Sequence, residues 1–177
     1  MLHKIALIVL LQTVALFQGS QQALTVSIVD KNNFCLVVPK DAHTNIGDSE
    51  YPGGEAVWCQ GQGQGGSGTF NGPFWSQVEV ARPKQGVVQM TGCININSSD
   101  RFNANDGGGQ YDSNGGDGGR GNPAGSVCKQ YPVYVELIEP AANRACIRCC
   151  QNAADCDVSR DTSGCPSVIP GNYFGCA

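Results

Sequence analysis

The sequence predicts an all-β fold: a small disulfide-stapled sandwich or barrel with long Gly-rich loops and a cysteine-rich C-terminal segment. Three observations support this class. Short β-rich runs are bounded by turn residues, no segment shows helical periodicity over three turns, and ten cysteines occur in a chain with 24 glycines and only 15% charged residues. Chains with many short strands and frequent turn signals close into sandwiches or barrels. We expect one domain over residues 24–177.

Five segments carry the strand pattern, namely residues 24–29, 34–38, 77–81, 87–96 and 132–139. In PVYVELIE (132–139), successive side chains of an extended chain alternate between two faces, and both faces carry apolar residues. The sequence RPKQG (82–86) separates two of the runs. We therefore predict a hairpin at residues 77–96.

Two Gly-rich segments, residues 53–72 and 107–125, contribute little to a core. Glycine adds no side chain to bury and loses more conformational entropy than other residues on folding. Such segments also occur as flexible linkers. However, Cys59 lies inside the first segment and Cys128 directly follows the second. We therefore expect both segments to be ordered surface loops on a β scaffold.

The N-terminal segment has the pattern of a secretory signal. Lys4 precedes an apolar run over residues 5–17, which is shorter than the about 20 residues that a membrane span needs. We expect a signal peptide over residues 1–20. The mature chain is then secreted and extracellular, with no membrane association after signal removal.

The cysteines are predicted to form five disulfides, because a secreted chain with an even cysteine count favours this state. They are Cys35, Cys59, Cys93, Cys128, Cys146, Cys149, Cys150, Cys156, Cys165 and Cys176. Six of them lie in a predicted cysteine-knotted segment, residues 144–177. Neighbouring residues on an extended chain face opposite sides, so Cys149 and Cys150 should bond different partners. The connectivity stays open.

Zinc binding by Cys146-x-x-Cys149 is the alternative to disulfide bonding. That spacing suits two tetrahedral ligands, but no second C-x-x-C and no histidine follows it. The disulfide interpretation is therefore favoured.

Catalytic signatures are sparse. His43 is the single histidine after the signal segment, and neither a G-x-S-x-G elbow nor a phosphate-binding P-loop occurs. The net charge of −4 gives no basic patch for nucleic acid. We expect a non-catalytic protein that does not bind nucleic acid.

Aspartates in and before the second Gly-rich segment offer hard oxygen ligands. Asp106, Asp112 and Asp117 are candidate calcium ligands, although the segment fails the EF-hand template and these residues also favour turns. With Asp100, they are also candidates for a glycosidase carboxylate pair. We expect no cofactor, with calcium as the alternative.

Aromatic residues in or beside the Gly-rich segments are candidate sugar-stacking platforms. Trp58, Trp75 and Tyr111 are the predicted carbohydrate-binding residues, since flat rings stack on sugars through apolar area. The alternative is that these rings fill a sparse core. Asn97-Ser-Ser99 is an N-glycosylation sequon, which places this turn on the surface and makes Asn97 a candidate glycosylation site.

Several strings in the C-terminal part carry a family resemblance. They are GGGQYDSNGGDGGRGNPAGSVC (107–128), YVELIEP (134–140), RACIRCC (144–150) and GCPSVIPGNYFGC (164–176). Together they resemble a fungal family of small secreted cysteine-rich proteins labelled macrophage-activating glycoprotein, which includes candidate secreted effectors. The resemblance implies a fungal cell wall or host-surface setting. Family members continue into Ser/Thr-rich wall-anchored tails, whereas this chain stops at Ala177, so we expect release.

These observations favour a secreted, non-catalytic binding or interaction protein. Its expected partner is cell-wall polysaccharide or an extracellular protein, in a glycan-binding or effector-like role. Two alternatives stay open. One is a polysaccharide-active enzyme that uses the loop aspartates, and the other is an inhibitor of secreted hydrolases.

Overall fold

The structure, a computed structural model, describes residues 24–61, 65–114, 123, 125–160 and 162–176. The predicted signal peptide, residues 1–20, lies outside them. The all-β prediction is confirmed, because the described chain forms two five-stranded sheets. The described helices are one-turn segments, and none is long and apolar enough to cross a membrane.

The described residues include ten strands and two short α-helices. They are β1 (Thr25–Asp30), β2 (Asn33–Pro39), α1 (Ile46–Ser49), β3 (Glu55–Gln60), β4 (Gly68–Thr69), β5 (Trp75–Ala81), β6 (Val87–Ile94), β7 (Gly109–Asp112), β8 (Val127–Cys128), β9 (Val133–Glu139), β10 (Arg144–Cys150) and α2 (Cys165–Val168). The five predicted strand segments correspond to β1, β2, β5, β6 and β9, and the predicted hairpin joins β5 to β6.

The strand orders are β4-β3-β2-β1-β8 in the first sheet and β5-β6-β10-β9-β7 in the second. Most neighbours are antiparallel, and the two parallel pairs, β1 with β8 and β3 with β4, involve two-residue strands. The Gly-rich segments contain β3, β4 and β7, so their prediction as loops alone is wrong. At Gly108, φ is +99° and a Cβ would lie 2.3 Å from the Ile138 carbonyl oxygen, so glycine lets the chain enter β7 beside β9.

The main core lies between the two sheets. Apolar side chains from β1 and β2 meet those from β6, β9 and β10 there. Four aromatic rings, Phe34, Phe70, Phe74 and Trp75, pack together at one end of this core, with ring centroids 4.7 to 6.1 Å apart. Such contacts stabilise a domain whose long Gly-rich segments supply few core side chains.

A second core covers the outer face of the second sheet. Val135 and Leu137 of β9 pack there with Cys146 and Cys150 of β10 against the chain after residue 155, which includes α2. Strand β6 and most of β9 and β10 are therefore buried on both faces. This explains why their sequences are apolar at successive positions rather than at alternate ones.

Five disulfides connect these layers: Cys35–Cys59, Cys93–Cys176, Cys128–Cys149, Cys146–Cys165 and Cys150–Cys156. All ten cysteines are paired, as predicted. Cys146 and Cys149 bond different partners, so the alternative of a shared zinc site is wrong. A disulfide set of this density indicates an extracellular or secreted protein.

Adjacent Cys149 and Cys150 bond different partners, which confirms the prediction from strand alternation. Cys149 belongs to the core between the sheets and bonds Cys128 in β8 of the first sheet. Cys150 belongs to the outer core and bonds Cys156 in the C-terminal segment. One strand, β10, therefore holds three layers together.

A buried carboxyl group bridges the sheets. Glu136 of β9 has no exposed surface, and its Oε2 accepts a hydrogen bond of 3.1 Å from the backbone N–H of Val37 in β2. Its Oε1 has no hydrogen-bond partner among the described residues. Burial raises the pKa of Glu136 well above its usual range, and the bond from Val37 opposes that shift only in part.

This carboxyl should make folding stability fall as pH rises. The unfolded chain releases the Glu136 proton near the ordinary glutamate pKa of about 4.3, whereas the folded chain retains it to higher pH. We expect Glu136→Gln to match wild type below pH 4 and to become increasingly more stable than wild type above pH 5. Denaturant unfolding at a series of pH values measures the difference.

The control for this series is Glu79→Gln, because Glu79 on the edge strand β5 is exposed. Its stability profile should run parallel to that of wild type. A Glu136→Gln profile that also runs parallel to wild type would show that Glu136 ionises equally in both states.

Candidate functional site

The predicted sugar-stacking rings do not form an exposed platform. Trp75 is 6% exposed and Tyr111 is 0% exposed, and both belong to the core between the sheets. The Tyr111 hydroxyl lies 2.6 Å from the Ser49 hydroxyl, which satisfies this buried polar atom. The expectation that these two rings are exposed is therefore wrong. In a core short of side chains, the large rings are used for packing.

Trp58 is half-buried, and its ring is already in contact with protein. The Arg101 guanidinium carbon lies 5.2 Å from the ring centroid. Arg101 is held there by Asp100 and by the carbonyl oxygen of Lys40. A Cβ at Gly68 would lie 2.5 Å from Cε2 of the indole, so only glycine allows this close approach. Trp58 of β3 therefore works as a packing residue beside the edge strand β4.

Tyr51 is an exposed aromatic residue that the sequence analysis missed, with 51% of its surface accessible. It follows α1 within the turn-forming sequence DSEYPGG (48–54). The Pro and Gly residues beside this single aromatic residue indicate that it is exposed, because a ring within a turn has few neighbours to cover it.

The candidate calcium ligands Asp106 and Asp112 are occupied by backbone amides. Asp106 accepts bonds from Ile46 N at 2.7 Å and Gly108 N at 2.9 Å. Asp112 accepts from Asn114 N at 2.6 Å and also from the Gln110 side chain. Asp117 lies outside the described residues. Among the described part of the chain, no group of three His, Cys, Asp or Glu side chains is arranged to hold a metal ion.

Two of these aspartates, Asp100 and Asp112, do not have the environment of a glycosidase carboxyl group. Asp112 has no exposed surface. The pKa of Asp100 is lowered, chiefly by its hydrogen bond from Arg101, whereas a general acid needs a raised pKa. Asn97 of the sequon is exposed in the 3-10 helix at residues 96–98, whereas Ser98 and Ser99 are buried.

A polar cleft of about 440 Å³ lies on the outer face of the second sheet. Residues 107–109 before and in β7 form one wall, and residues 162–164 before α2 form another. Leu137, Glu139 and Arg144 lie between them, on β9 and β10. Its size is within the range of small-ligand sites in proteins. We take this cleft as the candidate functional site.

A bidentate ion pair forms the floor of the cleft. Arg144 Nε donates to Glu139 Oε2 at 2.7 Å, and Arg144 Nη2 donates to Oε1 at 3.1 Å. Glu139 Oε2 also accepts from the backbone N–H of Cys165 at 3.0 Å. The pKa of Arg144 is raised, first by its hydrogen bond to Glu139, so the guanidinium stays charged.

The local sequence explains this geometry. β9 and β10 are joined by a 3-10 turn at Pro140–Ala142, and Asn143 takes a left-handed conformation with φ of 47°, so Glu139 and Arg144 pair directly across the hairpin. The Cys146–Cys165 disulfide fixes the start of α2 above the same face. No local sequence pattern indicates this site, because its two charged residues are separated by an ordinary turn.

Glu139→Gln should destabilise the fold and loosen the cleft. The glutamine places an NH₂ group against donors from Arg144 or Cys165, so we expect a loss of roughly 2 kcal/mol in the free energy of unfolding. Denaturant unfolding at neutral pH measures it.

Asp157→Asn is the matched control, since Asp157 pairs with Arg160 on the surface, with side chains 42% and 43% exposed. Its cost should stay under about 1 kcal/mol. Equal losses in the two variants would contradict a structural role for the pair in the cleft.

Comparisons with known proteins do not connect the cleft to a family. The chain matched no protein-family model, no curated protein and no solved structure. The site is therefore interpreted from the chain's own residues and geometry.

Proposed function

We propose that this chain is a secreted, non-catalytic binding protein that acts at the fungal cell wall or a host surface and binds polysaccharide through the cleft at Glu139 and Arg144. The observation that carries the proposal is the bidentate ion pair on the floor of a polar cleft. The fungal setting comes from the family resemblance of the C-terminal strings.

The cleft suits hydroxyl-rich ligands. Glu139 and Arg144 place acceptors and donors side by side, and sugar hydroxyls both donate and accept hydrogen bonds. Thr162 and Ser163 add exposed residues with hydroxyl groups at the rim. The charges of Glu139 and Arg144 cancel, so an uncharged ligand would contact no unpaired charge in the cleft.

The hydrogen bonds that the Glu139 carboxylate accepts favour ligand binding over hydrolysis. Both Glu139 oxygens accept hydrogen bonds, from Arg144 and from the Cys165 amide. Glu139 is the single carboxylate among the described residues that line the cleft. Glycoside hydrolysis uses two carboxyl groups about 5 to 10 Å apart across the sugar. The arrangement therefore supports recognition rather than bond cleavage.

Asn97 is included in the proposal as an N-glycosylated residue. The sequon residue is exposed and lies in a surface turn that follows β6. An attached glycan would remain in solvent there and would disturb no core contact.

Depletion from solution tests the proposal. The oxidised mature protein is incubated with insoluble chitin, β-glucan and cellulose, in calcium and in EDTA, and the protein left in the supernatant is measured. We expect selective depletion on at least one polymer, with the same result in EDTA, because no described contact in the cleft requires a metal.

A cleft-filling variant assigns the binding to the site. Gly107 lines the cleft and has no atom within 4 Å of an added Cβ, so Gly107→Trp should fold normally and lower the bound fraction at least tenfold. Gly47→Trp in α1 has equally open surroundings and should bind like wild type. No depletion on any polymer, or equal losses in both variants, would contradict the proposal.

A further inference from the structure

A second cavity, of about 310 Å³, lies between the β5–β6 hairpin turn and the 3-10 helix at residues 153–155. Pro83, Val87 and Ala154 give it an apolar rim. Three charged residues, Lys84, Arg148 and Asp155, complete the lining. The cavity is separate from the Glu139–Arg144 cleft, and none of its lining residues is shared with it.

Arg148 differs from Arg144 in its partner. Both belong to β10, but Arg148 Nε and Nη2 donate to the neutral amide oxygen of Gln89, at 2.9 and 2.7 Å. Arg148 Nη1 donates to the backbone carbonyl oxygen of Asp155 at 3.3 Å. Over the part of the chain that the structure describes, Arg148 forms no ion pair with a carboxylate.

The carboxylate in the lining, that of Asp155, already has a cationic partner. Asp155 accepts from the Lys84 ammonium group, so these two charges offset each other. With the half-buried guanidinium of Arg148, the three charged side chains of the lining carry one net positive charge. Burial lowers the pKa of Arg148, and the Asp155 carboxylate opposes that shift.

Arg148 also retains hydrogen-bonding capacity. A guanidinium carries five N–H donors, and the three bonds above leave one N–H on each of Nη1 and Nη2. Two such donors match the two oxygens of a carboxylate, which arginine binds in bidentate geometry. The apolar rim can contact the carbon skeleton that carries the acid.

We propose that this cavity is a carboxylate-binding site in which Arg148 holds the acid group of a small organic acid or of a uronic acid residue in a glycan. The proposal does not depend on polysaccharide binding at the Glu139–Arg144 cleft. The cavity is larger than one carboxylate group needs, so a sugar acid should bind more tightly than acetate.

Titration by amide NMR tests this site. ¹⁵N-labelled protein receives sodium acetate, sodium D-glucuronate or D-glucose, with ionic strength held constant by NaCl. We expect saturable shifts at the amides of Val87, Gln89 and Asp155 with both acids and none with glucose. Tighter binding of glucuronate identifies a sugar acid, and equal binding of the two acids identifies a small organic acid. Absence of saturable shifts with either acid would overturn the proposal.

Matched variants separate charge from shape. Ala154→Glu adds a tethered carboxylate at the rim and should weaken acid binding at least fivefold, whereas Ala154→Gln of nearly equal size should stay within twofold of wild type.

Arg148→Gln should abolish the shifts, and Arg160→Gln, which removes an exposed charge elsewhere, should not. Equal effects of the two Ala154 variants would overturn the proposal even if Arg148→Gln fails to fold. Gly107→Trp should leave acid binding unchanged, which distinguishes this site from the polysaccharide cleft.

Discussion

The fold depends on a strand that must be buried on both faces while its chain supplies few large side chains. β10 places Ala145, Ile147 and Cys149 toward the first sheet and the intervening residues toward the C-terminal segment. Its two adjacent cysteines bond in opposite directions, to Cys128 and to Cys156. The disulfides therefore hold the sandwich and the outer layer on one central strand, where an ordinary domain would use a larger apolar core.

The candidate sites follow from this layering. Arg144 and Arg148 are the first and third of the outward-facing residues of β10. Cys146, which is bonded to Cys165, lies between them. The C-terminal segment crosses the sheet there and leaves a cavity at each end. One arginine meets Glu139 and the other meets Gln89, so the same strand offers a neutral polar cleft and a positively charged cavity. This difference in partners is what separates the two proposed ligand classes.

Much of the architecture could be predicted from the sequence, because short β-rich runs between turn residues survive as β1, β2, β5, β6 and β9. β10 was missed because four of its five buried positions carry alanine or cysteine, and their burial depends on disulfides and on the segment that covers the strand. β3 and β7 were not predicted, because they lie within the Gly-rich segments, whose composition is typical of loops. Trp75 and Tyr111 were misplaced because a ring near glycines has the same local sequence whether it packs inward or lies exposed. The ion pair and Arg148 cavity depend on long-range contacts that no local pattern reveals.

The connectivity at the adjacent cysteines is a direct test of the role of β10 as the strand that links three layers. The native oxidised protein is partially reduced, the released thiols are alkylated, and the remaining bonded peptides are sequenced by mass spectrometry with fragmentation between Cys149 and Cys150. We expect Cys128 bonded to Cys149 and Cys150 bonded to Cys156. Cys128 bonded to Cys150 and Cys149 to Cys156 would contradict this expectation, because each cysteine would then have to lie on the opposite face of β10.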